Sequence, residues 1–311
     1  MKYPYRIAII DLGTNSLRVG LYEIKDWMEW NCLHQHKSMV RLGDGVFETG
    51  FLDPEAKMRT FVELTEIKKQ MGDWKINHVV GYATSALRTA ADGPAFATFI
   101  EKKLGFPIKI ISGEEEAILI AKGVLTNQRT PAENFLLVDI GGGSTEINWC
   151  QGKLVFKSLS FRLGANRIKQ LFFDPFDHPQ TLKGKADSIK KTRKFVKEEL
   201  LKQTKKVPKA TTLMGSSGTI RAVRKMLKAA KKPVDPFLGS DLSAFVQKIS
   251  YFSPDRLLKI PGMEPKRVDL IIPGAIILDE VVKTFGIKKI YTTPFTLRDG
   301  ILEEVLEKIF Y

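Results

Sequence analysis

The sequence is poor in the residues that build metal or disulfide scaffolds. It has two cysteines and four histidines in 311 residues. Cys32 and Cys150 show no ligand-like spacing to each other or to His34, His36, His78 and His178, which argues against a zinc site and for a reduced compartment. His34 and His36 would share one face of a strand, but no third ligand accompanies them. No apolar run approaches the roughly 18 residues that would suggest a membrane span. Met1-Lys2-Tyr3-Pro4 leads into a strand without a signal-peptide pattern, so the expectation is a cytoplasmic protein with no membrane partner. Helix-turn-helix, zinc-finger and RNP-type signatures are missing, and aromatic residues are not interleaved with basic ones. Sequence-specific nucleic-acid binding is therefore not expected.

Acidic residues are also in deficit: 35 against 49 lysines and arginines, a formal charge of +14. A surplus of this size attracts polyanions but does not distinguish nucleic acid, anionic lipid and inorganic polyphosphate. With 43% hydrophobic and 27% charged residues, the chain has the composition of a globular protein long enough for two cores. Neither a coiled-coil seam nor a self-complementary patch is readable, which leaves a homodimer open.

The informative stretch runs from Phe135 to Ile147: an apolar run ending in Asp139, the turn Gly141-Gly142-Gly143-Ser144, then Thr145, Glu146 and a second apolar pattern. It reads as two strands joined by a tight turn. Consecutive glycine amides can converge on an anion, the hydroxyls add donors, and Asp139 and Glu146 offer carboxylates suited to a hard cation. An ordinary glycine-rich hairpin would share the pattern. However, Tyr5 to Tyr22 repeats it, pairing Asp11 with Asp139, Gly13 with Gly141, Ser16 with Ser144 and Arg18 with Glu146. Two such units far apart in one chain imply a duplicated α/β domain, with the two turns facing each other across a cleft.

Those turns resemble the paired phosphate loops of the actin, sugar-kinase and heat-shock-chaperone superfamily. More closely, the whole chain resembles the exopolyphosphatase and guanosine pentaphosphate phosphohydrolase family (Ppx/GppA). The matching pieces are Asp11 to Ser16, Ala83 to Arg88, Ile111 to Ala117, Asp139 to Glu146, Gly215-Ser216-Ser217-Gly218-Thr219, Arg267-Val268-Asp269 with Pro273-Gly274-Ala275, and Leu297 to Gly300. The resemblance implies two duplicated actin-like (ribonuclease H-like) α/β domains with an interdomain active-site cleft, at residues 1–128 and 129–311. It also implies that the C-terminal HD-like domain of longer members is absent. A closing helix near 301–310 could pack back on the first domain.

Between these motifs, Asp53-Pro54-Glu55 opens a helix, and His78 to Ala83 is a short buried strand that delivers Thr84 to Arg88 at its C-terminal end. Ser112 and Glu115 form a capping box, while Glu114 and Glu116 each continue an apolar stripe of the helix that follows. Thr126 to Pro131 reads as a linker. Residues 182–206 read as a long helix with Leu182, Ala186, Ile189, Val196 and Leu200 in register, interrupted by Arg193. Its other faces carry lysines from Lys183 to Lys206, either as a solvated face or as a strip for a long polyanion. Arg267 and Asp269 are expected to begin a helix that Pro273 kinks or restarts.

By the resemblance, the catalytic carboxylate is Glu116, with Glu115 the second choice. Phosphate binding falls to Gly13, Thr14, Asn15, Ser16, Arg18, Arg88, Gly141, Gly142, Gly143, Ser144, Thr145 and Arg267. Asp11, Asp139 and Glu146 would hold Mg2+, directly or through water. Gly215 to Thr219 would form a second anion or nucleotide turn. The implied activity is release of terminal orthophosphate from inorganic polyphosphate by water that Glu116 activates. The alternative substrate is guanosine pentaphosphate (pppGpp), and a small-molecule kinase or a non-catalytic sensor are the lesser alternatives.

Overall fold

The computed structural model describes residues 4–26, 29–72, 74–173, 181–204, 207–229 and 235–310. His178, Lys205 and Lys206 lie outside the described residues. The chain divides into two compact units, one formed by Met1–Gly123 with Leu297–Tyr311, the other by Val124–Thr296. The sequence reading had instead cut the chain after residue 128. The helix in which the division falls runs unbroken from Gly113 to Asn127.

In the first unit, β1 (Tyr5–Leu12), β2 (Leu17–Ile24) and β3 (Trp30–Ser38) form an antiparallel meander. The short helix α1 (Val46–Thr49) and the long α2 (Pro54–Gly72) follow, then β4 (His78–Ala83), α3 (Ser85–Thr89), α4 (Gly93–Leu104), β5 (Ile108–Ile110) and α5 (Gly113–Asn127). The sheet order is β3-β2-β1-β4-β5, with β4 parallel to β1. Ile7, Ala8, Ile9 and Ile10 are all fully buried, as expected of a central strand covered on both faces. The Asp53 carboxylate accepts from Ala56 N at 2.9 Å, so α2 starts where its Asp-Pro signal places it.

The second unit repeats the plan with β6 (Asn134–Ile140), β7 (Thr145–Gln151), β8 (Leu154–Phe161), α6 (Ala165–Phe172), α7 (Leu182–Gln203), β9 (Thr212–Gly215) and α8 (Gly218–Ala229). It continues through β10 (Phe237–Leu238), α9 (Gly239–Ile249), α10 (Pro254–Leu258), α11 (Ile271–Phe285) and β11 (Lys289–Thr292). Its sheet order, β10-β11-β9-β6-β7-β8, is that of the first sheet with β10 added at one edge. The duplication extends to an irregularity. The register slips between Leu21 and Tyr22 in the first meander and between Trp149 and Cys150 in the second, positions the repeat aligns.

The closing helix α12 (Leu297–Phe310) belongs to the first unit. A Cβ at Gly300 would lie 1.8 Å from Leu119 O of α5, so glycine is what permits this close crossing.

Two expectations are corrected. Arg267 ends a single 3-10 turn, Pro265–Arg267, and α11 begins only at Ile271. Pro273 therefore lies in the first helical turn, where no intrahelical N–H is required, and neither kinks nor restarts the helix. In α7, Arg193 does not interrupt the inner face. Its guanidinium reaches Asp279 at 2.6 Å and also pairs with Glu280, both on α11. Among the described residues, no helix is long and apolar enough to cross a membrane.

Candidate functional site

The turns at Gly13–Ser16 and Gly141–Ser144 close on the same backbone bond. Gly13 N donates to Ser16 O at 3.1 Å and Gly141 N to Ser144 O at 2.9 Å. A Cβ at either glycine would meet the accepting carbonyl at 3.2 Å. The residues after each turn continue the match, because Asp11 lies opposite Arg18 in the β1–β2 ladder and Asp139 opposite Glu146 in the β6–β7 ladder. In the first unit Arg18 Nη1 is 3.5 Å from Asp11 Oδ2.

Each turn is held from behind by the segment that follows the third strand. In the first unit, Arg41 N donates to Asn15 O at 2.9 Å and Gly43 N to Thr14 O at 2.8 Å. Arg41 adopts φ 52°, a left-handed conformation that is uncommon for a non-glycine residue. In the second unit, Ala165 N donates to Gly141 O at 3.0 Å, and Asn166 N and Arg167 N donate to Gly142 O at 2.8 and 3.0 Å. Arg167 Nε adds a bond to Gly143 O at 2.8 Å. A planar trans peptide directs its N–H opposite to its C=O. With the carbonyls of Gly141, Gly142 and Gly143 turned toward α6, the amides of Gly142, Gly143 and Ser144 point the other way, as an anion nest requires. Gly164 sits directly beneath, where a Cβ would lie 2.3 Å from Gly142 O.

The sequence reading missed these bracing segments, although a signal was present. Arg41-Leu42-Gly43 and Arg162-Leu163-Gly164 are the same tripeptide at corresponding places in the two repeats. Both leucines are fully buried.

The glutamates at the start of α5 separate into two roles. Glu115 forms the capping box, accepting from Ser112 N at 2.7 Å while Ser112 Oγ accepts from Glu115 N at 3.1 Å. Lys109 Nζ also donates to Glu115 at 2.8 Å. The lysine bond and the capping bonds hold the Glu115 carboxyl down to about 2. Glu116 is instead buried, at 8% exposure. Arg88 Nη1 donates to Glu116 Oε2 at 3.0 Å and to Ile111 O at 2.8 Å. Arg88 lies in α3, just beyond the C-terminal end of β4, where the strand was expected to deliver it.

In the second unit, the hydroxyls expected to contact a ligand are directed largely into the fold. Thr145, fully buried, donates to Leu163 O at 2.5 Å. Ser216 Oγ donates to Asp139 Oδ2, and Ser217 Oγ accepts from Ile220 N at 3.2 Å as the cap of α8. Thr219 Oγ1 is 3.4 Å from Ile140 O. The Gly215 to Thr219 turn thus orients Asp139 and caps a helix. Ser160 Oγ donates to Glu146 Oε1 at 2.7 Å. Arg267 pairs with Glu264 at 2.9 Å, and its guanidinium lies over the start of α8, 2.5 Å from where a Gly218 Cβ would be.

Among the described residues, no group of three or more histidine, cysteine, aspartate or glutamate side chains could hold a metal ion. Mg2+ takes one or two carboxylates together with water and substrate phosphate, so it needs no such cage. Asp139 and Glu146, facing each other across one ladder and each oriented by a serine, fit that demand as a pair.

The Ppx/GppA phosphatase family model matches residues 21–309. The chain belongs to that family. It is 29% identical over 316 residues to exopolyphosphatase 2 of Mycobacterium tuberculosis, covering 95% of this chain and 97% of that one. It is 28% identical over 309 residues to the guanosine-5'-triphosphate,3'-diphosphate pyrophosphatase of Pseudoalteromonas translucida, covering 97% of this chain and 59% of that one. The crystal structure of an exopolyphosphatase from Cytophaga hutchinsonii superposes with a TM-score of 0.85 at 24% identity, covering 97% and 98% of the two chains. That likeness shows the fold, two α/β units each built on one sheet.

Proposed function

We propose that this Ppx/GppA protein hydrolyses the terminal phosphoanhydride of inorganic polyphosphate and releases orthophosphate. The observation that carries the reading is the duplicated turn, whose carbonyls are bonded behind it in both units. Gly13 to Ser16 and Gly141 to Ser144 would bind terminal phosphates through backbone amides, with the Ser16 and Ser144 hydroxyls in support. Arg18 and Arg267 would offset phosphate charge.

Glu116 would accept the proton of the attacking water. Arg88 holds its carboxylate in one orientation, so the base is positioned before substrate arrives. Glu115 suits the role poorly because its oxygens serve the helix cap and Lys109. A divalent cation held by Asp139 and Glu146 would neutralise charge on the transferred phosphoryl group. Asp11, expected as a third ligand, has Arg18 beside it and would act at most through water.

The second reading, pppGpp as substrate, is supported by the Pseudoalteromonas relative. Phosphate release from polyphosphates of defined length and from pppGpp, measured side by side with Mg2+, separates the two. Faster release from polyphosphate supports the first reading; release from pppGpp alone replaces it with the second.

A further inference from the structure

The longest helix has no part in that scheme. Val196 and Leu200 are fully buried and Ile189 nearly so, while Arg193 turns inward to Asp279 and Glu280. Apart from the half-buried Lys185, the remaining described lysines of the helix are exposed. At roughly 100° per residue, Lys183, Lys190, Lys194 and Lys197 fall within roughly 60° of one another, in a row roughly 21 Å long. All four are exposed. Lys194 has a 3.9 Å contact with Glu198, and the other three make no ion pair among the described residues. Asp187 and Glu198 border the row on one side only.

The row also has a direction within its unit. Thr212 beside Phe135 marks the end of the sheet remote from the Gly141 turn. Lys157, opposite Trp149 toward that remote end, donates to Gln203 O at 3.3 Å, which fixes the end of α7 there. At its start, Lys185 Nζ donates to Phe252 O. Phe252 follows α9, which begins at the remote end, where Gly239 N donates to Lys288 O, and climbs toward the turn. The lysines therefore lead from the remote end toward the end that carries Gly141 to Ser144.

We infer that this row is a docking track for the distal part of a linear polyphosphate chain whose terminal phosphate lies in the Gly141 to Ser144 turn. The inference rests on the function proposed above. A linear polyanion presents charge at every repeat and can follow a straight row. Lysine ammonium groups on flexible stems grip phosphate without the fixed geometry that arginine imposes. A compact substrate with a few phosphates would fill the turn and leave α7 untouched.

The test is the full chain carrying K183Q, K190Q, K194Q and K197Q, with far-UV circular dichroism and melting compared with the wild type. KM for long-chain polyphosphate should rise about tenfold or more at unchanged kcat, and the salt dependence of log KM should weaken by roughly 0.7 per lost phosphate contact. KM for tripolyphosphate should not change. An equal rise for both substrates, or no change for either, overturns the track. Direct binding is measured alongside: a wild type that binds long-chain polyphosphate through the row yet releases no phosphate would sink the proposed activity and keep the track. Row-dependent binding of single-stranded RNA in preference to polyphosphate would overturn it.

Discussion

Arg88 and Glu116 meet at 3.0 Å, and the same Arg88 nitrogen donates at 2.8 Å to Ile111 O just ahead of α5. One donor thus ties a buried carboxylate to the backbone that leads into its own helix. If Glu116 is the base, Glu116→Gln keeps the shape and removes proton acceptance. Turnover should fall by roughly 10²- to 10⁴-fold while substrate affinity changes little. Single-turnover phosphate release together with equilibrium binding measures both, and a near-normal rate would remove Glu116 from the chemistry.

Gly164 supports the second turn from directly below. A Cβ there would lie 2.3 Å from Gly142 O and 2.4 Å from two further backbone carbons, none of them the end of a flexible side chain. Gly164→Ala should therefore cost about 1–3 kcal/mol and raise KM for every phosphate substrate by displacing the turn. Gly72 faces open space, so Gly72→Ala is the control and should do neither. Denaturant titration and KM for both variants test the contrast.

The local signals were legible because their physics is local. A glycine turn between apolar runs specifies its own hairpin, Ser112 and Glu115 cap their own helix, and the segments beginning at Asp11 and Asp139 repeat one pattern. What stayed hidden depends on distant partners. Arg193 looked like a break in an apolar stripe because Asp279 and Glu280, which accept its charge, come from a helix much later in the chain. Gly215 to Thr219 read as an anion or nucleotide turn, and nothing nearby in sequence shows that Asp139 takes the Ser216 hydroxyl. The repeated Arg-Leu-Gly was readable, but its meaning required seeing that the segments it opens bond to the turns.

Glu115 gives a prediction with a pH signature. Its carboxyl is held at about 2 chiefly by Lys109 and the Ser112 cap, below the ordinary carboxylate range. A depressed carboxylate contributes stability that is present above its unfolded pKa, about 4.3, and is lost as pH falls toward 2. Glu115→Gln should flatten the acid side of the stability curve between those values and leave turnover at neutral pH close to wild type. A large loss of turnover would make Glu115 the base after all.

Arg193 gives the largest expected stability change away from the turns. Asp279 is fully buried, and burial pushes its carboxyl up. Bonds from Lys283, Ser243 and Arg193 outweigh that effect and leave it below its ordinary value. Arg193→Ala removes the donor shared with Glu280 and leaves two buried carboxylates short of a partner, a loss of about 3 kcal/mol. The wild-type contribution is present above the ordinary carboxylate range and fades as pH falls through the depressed value, so the variant should lose less on acidification. Urea titrations at neutral and acidic pH measure both effects. Arg193→Lys should recover part of the loss, because one ammonium can still reach a carboxylate but cannot hold both as the guanidinium does.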